Sequence, residues 1–264
     1  MTPIRLGAVD YLNARPLTYG LERRSDLFSL RYDPPSRCAV LLHDGQIDVG
    51  MIPAIEYCRG PEYQIVPGMA IVSERTVASV ALFTKVPVDQ VRTIAADTSS
   101  RTSNVLLRIL CRERFDIAPV FRPMAPDADA MLAAADAALI IGDPALFLDP
   151  VEKGVEKIDL GEQWTDMTGL PFVWAFWAGR SGALAPDAAQ ALAQARDAGV
   201  ANSDAIAAGY AGAERAALGQ TYLRENIQYQ MGEREIAGVR RYFDLAARQG
   251  LIEASRTPTF YPAN

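Results

Sequence analysis

Histidine is nearly absent from this chain of 264 residues: His43 stands alone, and only three cysteines, Cys38, Cys58 and Cys111, accompany it, widely spaced and without a CxxC pair. An odd number of dispersed cysteines reads as reduced thiols rather than a disulfide framework. A zinc or iron site needs several such ligands converging, so no metal is expected, and no other cofactor is implied. Clusters of Lys and Arg are missing too, and the net charge of −6 argues against a nucleic-acid surface. Apolar runs such as residues 137–141 fall far short of the roughly twenty residues that cross a bilayer, so no membrane span is expected. There is no glycine-rich nucleotide loop and no Ser-His-Asp order, which leaves phosphoryl transfer, hydride transfer and triad hydrolysis without support.

What remains is an ordinary globular composition, half hydrophobic and 22% charged, long enough for one large unit or two modest lobes. Met1–Leu6 runs straight into a strand-like stretch with no basic segment and apolar core ahead of a cleavage site, which leads us to expect a cytoplasmic protein. Strands are expected at Ile4–Val9, Ile47–Met51, Ser79–Lys85, Arg92–Asp97, Ala137–Ile141, Val155–Leu160 and Phe172–Ala178. Helices are expected near Pro16, over 36–44, behind Thr98–Ser100 through Arg112, from Ser203 to Leu218 and over Glu233–Gln249. Strands alternating with helices predict an α/β fold with parallel pairs. Without a low-complexity linker, two lobes must be joined through strands. Crossings near 83–86 and 178–181 give an outer lobe of residues 1–84 plus 180–264 and a middle lobe of 85–179, hinged around a ligand.

Ligands of open α/β sheets bind beyond the carboxyl ends of the strands, which directs attention to four loops: Asp10–Asn13, Ile52–Ala54, Thr98–Ser103 and Gly142–Pro144. The third carries five hydroxyls and Arg101 at a helix start, where free N–H groups and a partial positive charge suit a carboxylate or phosphate. The competing reading makes Ser99 or Ser100 a helix cap and leaves Arg101 in solvent. Asn13 can donate and accept through its amide, or simply hold a left-handed turn. Asp143 could orient a hydroxyl or cap a helix, and Glu56 could reach the cleft from a short helix. His43, ending a helix, suits the terminal carbonyls and is given no catalytic role. Phe172, Trp174, Phe176 and Trp177 alternate as core residues do, with a ring flanking a ligand as the alternative. The residues by themselves indicate a binder of small anions.

Taken together, Tyr11-Leu12-Asn13-Ala14-Arg15-Pro16-Leu17, Ser100-Arg101-Thr102-Ser103, Ile141-Gly142-Asp143-Pro144-Ala145-Leu146, Thr168-Gly169-Leu170-Pro171-Phe172-Val173-Trp174 and the tail Tyr222-Leu223-Arg224-Glu225-Asn226-Ile227 resemble the chorismate dehydratases of the futalosine route to menaquinone. The resemblance covers nearly the whole chain, and its combination of motifs is what makes it specific. It implies a two-lobed type II periplasmic-binding-protein-like fold, a cytoplasmic enzyme, and a cofactor-free loss of water from chorismate to give 3-[(1-carboxyvinyl)oxy]benzoate. On that resemblance Asn13 faces the reacting ring, while Ser79, Ser100, Arg101, Thr102, Ser103, Pro53 and Asp143 contribute to holding the dianion. No general base is identified; Asp143 and Glu56 are positional candidates. The alternatives are the later pathway enzyme forming 1,4-dihydroxy-6-naphthoate, a solute-binding protein without chemistry, and an effector-sensing lobe of a transcription regulator.

Overall fold

The computed structural model describes residues 2–262 and contains two mixed sheets. In the first, β1 (Ile4–Val9) lies between β2 (Phe28–Asp33) and β3 (Val49–Pro53) and is parallel to both. The helix Pro35–His43 makes the crossover that a parallel pair requires. Two short strands, β4 (Gln64–Ile65) and β5 (Ile71–Ser73), follow. The second sheet comprises β6 (Val80–Thr84), β7 (Thr93–Asp97), β8 (Val120–Met124), β9 (Ala137–Ile141) and β10 (Glu156–Asp159), in the order β10-β6-β9-β7-β8. The chain then returns as β11 (Phe172–Gly179), antiparallel to β3, β4 and β5 in the first sheet. Each sheet anchors one lobe.

Sheet membership corrects the expected crossings. Val80–Thr84 pairs with β9 and β10, so it belongs wholly to the second sheet, and all of Phe172–Gly179 belongs to the first. The chain therefore passes between sheets at residues 74–79 and 160–171, not at 83–86 and 178–181. Both strands are buried throughout, so neither shows the alternation that would tie it to one sheet's face. The long helix expected over Ser203–Leu218 also divides, into Ser203–Ala211 and Ala216–Thr221, because Gly212 takes φ +74° and stops the first segment. Ser203 is not a cap: its hydroxyl donates back to the Val200 carbonyl at 2.8 Å.

A continuous apolar core runs under both sheets, with Trp164, Phe172, Trp174 and Tyr242 in tilted or edge-on contact. The three cysteines are buried, and loss of water pushes the Cys38 and Cys111 thiols up to about 12 and Cys58 to about 11. They are packing groups rather than nucleophiles. No helix among the described residues is long and apolar enough to cross a membrane.

Candidate functional site

Between the sheets lies a cavity lined by Tyr11 and Asn13 after β1, Pro53 at the end of β3, Ser79 in the first crossing, Ser100, Thr102 and Ser103 behind β7, Gly142 after β9, and Trp174 on β11, with apolar side chains closing it. The carboxyl ends of strands from both lobes thus converge where ligands of α/β sheets bind. Of the residues expected at a site, Asn13, Pro53, Ser79, Ser100, Thr102 and Ser103 come together here, whereas Arg101 and Asp143 do not line the cavity.

The helix Arg101–Glu113 starts at this cavity. Ser100 caps it, accepting from the Ser103 N–H at 3.3 Å and donating to the Ser103 hydroxyl at 2.7 Å. Capping and presentation of the helix start are thus compatible, since the first-turn N–H groups of Arg101 and Thr102 have no acceptor within the helix itself. Asp97 shapes the turn behind it by accepting from the Ser99 amide (2.7 Å) and hydroxyl (2.6 Å), while burial pushes its carboxyl above the ordinary range.

Arg101 points elsewhere. Its guanidinium meets Glu56 at 2.7 Å, and that buried carboxylate also binds Arg59 (3.0 Å) and His43 (3.0 Å). Burial pushes Glu56 up, but the His43 hydrogen bond and the charges of Arg101 and Arg59 outweigh it and hold the carboxyl below its ordinary value. A carboxylate so deep requires counter-charge, which draws Arg101 across from the second lobe. Asp143 is the matching tether on the other side. It accepts from the Leu12 N–H (3.2 Å) and the Tyr210 hydroxyl (2.5 Å), both in the first lobe, and burial raises its carboxyl. Gly142 beside it has φ +67°, and a Cβ there would stand 3.0 Å from the Tyr11 ring, so glycine is what allows Tyr11 to close over the second lobe. The two expected ligands are therefore clamps between lobes in this conformation.

Asn13 sits in the 3-10 turn Leu12–Ala14, and it is not among the non-glycine residues with positive φ. The left-handed-turn reading is overturned, and the residue lines the cavity. Sequence reasoning also passed over Tyr222, whose hydroxyl hydrogen-bonds Ser79 Oγ at 2.6 Å from behind the cavity wall. Nothing local signalled this, because the contact joins residues more than 140 positions apart. Trp174 borders the cavity and donates to Ser73 Oγ at 3.0 Å; Phe176 and Trp177 are core. Among the described lining residues there is no Asp, Glu, His, Lys or Arg, so an anion here is met by neutral donors.

Among solved structures, the chain is similar to protein AF1704 from Archaeoglobus fulgidus (TM-score 0.76, 18% identity, 95% of this chain and 99% of that one). It is also similar to the alkanesulfonate-binding protein SsuA from Xanthomonas axonopodis (TM-score 0.70, 18% identity, 97% and 96%). The architecture is that of periplasmic binding proteins, as the two lobes and their cleft require. A curated relative, the chorismate dehydratase of Thermus thermophilus, is 29% identical over 211 residues, covering 74% of this chain and 77% of its own. A family model described as menaquinone biosynthesis matches residues 4–248, from the first strand through the last long helix and hence every loop that builds the cavity; the chain belongs to this menaquinone biosynthesis family.

Proposed function

We propose that this protein is a chorismate dehydratase, a lyase that removes one proton and one hydroxide from chorismate and releases water and 3-[(1-carboxyvinyl)oxy]benzoate. The observation that carries the reading is a cavity whose polar lining is a helix start, five hydroxyls counting the Tyr11 phenol, and one amide, without a fixed charge. Neutral, pre-aimed donors suit a dianion that keeps both carboxylates and loses only the elements of water. Ser100, Thr102 and Ser103 with the adjacent N–H groups would take one carboxylate, Ser79 the other, and Asn13 would face the ring.

Aromatisation supplies the driving force, so the protein's task is orientation. The acid–base candidates are both occupied: Glu56 is ion-paired and Asp143 is held by Tyr210 and the Leu12 N–H. A carboxylate of the substrate itself is then the base within reach, and the cavity needs only to hold it beside the proton it takes. Incubating the protein with chorismate while recording the ultraviolet spectrum should show the cyclohexadiene replaced by a benzoate chromophore; an unchanged spectrum with confirmed binding returns the protein to the class of solute binders.

As described, the cavity has a volume of about 60 Å³. That is less than half of the ~150 Å³ that accommodates benzene in an apolar protein cavity, so a ring with two carboxylates requires the lobes to part first. Arg101–Glu56 and Asp143–Tyr210 are the contacts that must open. Small-angle scattering should show a radius of gyration that differs with and without chorismate, as ligand selects one degree of lobe opening. An identical radius in both states, with binding established by calorimetry, would rule out the hinge.

A further inference from the structure

The turn Tyr222–Asn226 is π-helical, a rare geometry that tends to occur where a fold places a functional group. It is fastened on both sides. Asn226 donates to the Thr76 carbonyl at 3.1 Å, and Gln228 exchanges both backbone hydrogen bonds with Val72 at 2.9 Å, which ties the turn to the first crossing. Gly219, just ahead of it, lies so close to the Asn13 loop that an added Cβ would stand 3.2 Å from Leu12 Cδ2. Tyr222 itself is buried, and its hydroxyl meets Ser79 Oγ at 2.6 Å.

A phenol has one proton to give and can accept through its oxygen. If Tyr222 donates to Ser79 Oγ, the Ser79 proton is free to turn to the cavity. With the opposite polarity, Ser79 spends its proton on Tyr222 and presents a lone pair to an anion. The dianion selects the first arrangement. We propose that Tyr222 is a positioning residue that aims the Ser79 hydroxyl at the substrate, acting through that hydroxyl without touching the substrate. The inference rests on the dehydratase reading for its kinetic consequence.

Tyr222→Phe keeps the ring and removes only the hydroxyl. The expected result is a kcat for chorismate lowered roughly 10- to 100-fold, the scale of a small misplacement of catalytic groups, with KM little changed. Adding Tyr222→Phe to Ser79→Ala should cost scarcely more than Ser79→Ala alone, because Tyr222 acts through the Ser79 hydroxyl. The Cβ resonance of Ser79, identified by its loss in Ser79→Ala, should move in Tyr222→Phe. Wild-type kcat in Tyr222→Phe, or full additivity with Ser79→Ala, overturns the proposal, and so does an unmoved Ser79 resonance whatever the turnover. Should the phenylalanine variant not fold, 3-fluorotyrosine at position 222 retains the hydroxyl and changes its donor strength; the same resonance must then shift. Wild-type protein that leaves chorismate untouched refutes the function, while the resonance still decides the positioning.

Discussion

Asn13→Asp should abolish nearly all turnover while leaving the melting temperature almost where it was. The substitution keeps the shape of the side chain, and the backbone of the Leu12–Ala14 turn makes no demand that asparagine alone meets. What changes is charge and donor count. A carboxylate has no N–H to offer, and it would stand beside a bound dianion. At about 4 Å and an effective dielectric near 20, that repulsion is on the order of 4 kcal/mol, or about a thousandfold in rate. The buried Tyr222 hydroxyl keeps its Ser79 partner, so the fold loses little. The variant has its own pH signature. Desolvation and a nearby dianion both favour the protonated acid, which is neutral and carries a donor again. Residual activity should therefore rise as pH falls, a direction in which the wild type, with no charged side chain among the described lining residues, has little cause to move. Wild-type kcat in Asn13→Asp across that range would place the chemistry elsewhere.

Much of this site could be read from the sequence because strand-loop-helix order places loops at one sheet edge whatever the packing above it. Asn13, Pro53, Ser100, Thr102 and Ser103 follow directly from that rule, and Ser79 from the resemblance. Arg101 shows where it stops. An arginine at a helix start near hydroxyls suggests an anion ligand, but a buried glutamate 45 residues away had the stronger claim on it. Burial of Glu56 is a tertiary fact, and its tetrapeptide helix Glu56–Arg59 looks like any surface turn in sequence. The misplacement of the crossings has the same origin. Val80–Thr84 and Phe172–Gly179 are buried on both faces, so their sequences report depth and not which sheet they join. Tyr222 was quoted among the family motifs without a role, because only the π-helical turn brings it behind Ser79.

Asp159→Ala should give the largest loss of stability. The two segments between the lobes begin next to each other, and Asp159 ties them together: its carboxylate accepts from Val77 N–H at 3.0 Å and Ala78 N–H at 2.7 Å in the first crossing, and from Glu162 N–H at 3.1 Å at the start of the second. The first crossing needs this restraint, since Arg75 (φ +66°) and Ala78 (φ +63°) occupy the left-handed region without being glycine. Removing the carboxylate leaves the buried Val77 amide and the part-buried Ala78 amide unpaired, at about 1–3 kcal/mol for each orphaned donor, and so roughly 3–5 kcal/mol with the lost helix cap. For a chain of this length that is a fall in melting temperature of roughly 10 °C, at about 2–4 °C per kcal/mol. Asp159→Asn should fall between, because it retains one acceptor oxygen while its amide faces a donor. Ser79 follows Ala78 directly, so relief of the strained backbone should also swing its hydroxyl away from the cavity and raise KM for chorismate in the fraction that folds. A calorimetric scan of Asp159→Ala that overlays the wild type would show that the crossings are held by packing alone. Lowered stability with an unaltered KM would separate the knot from the site and leave Ser79 anchored through the Gly142 amide that its carbonyl accepts at 2.7 Å.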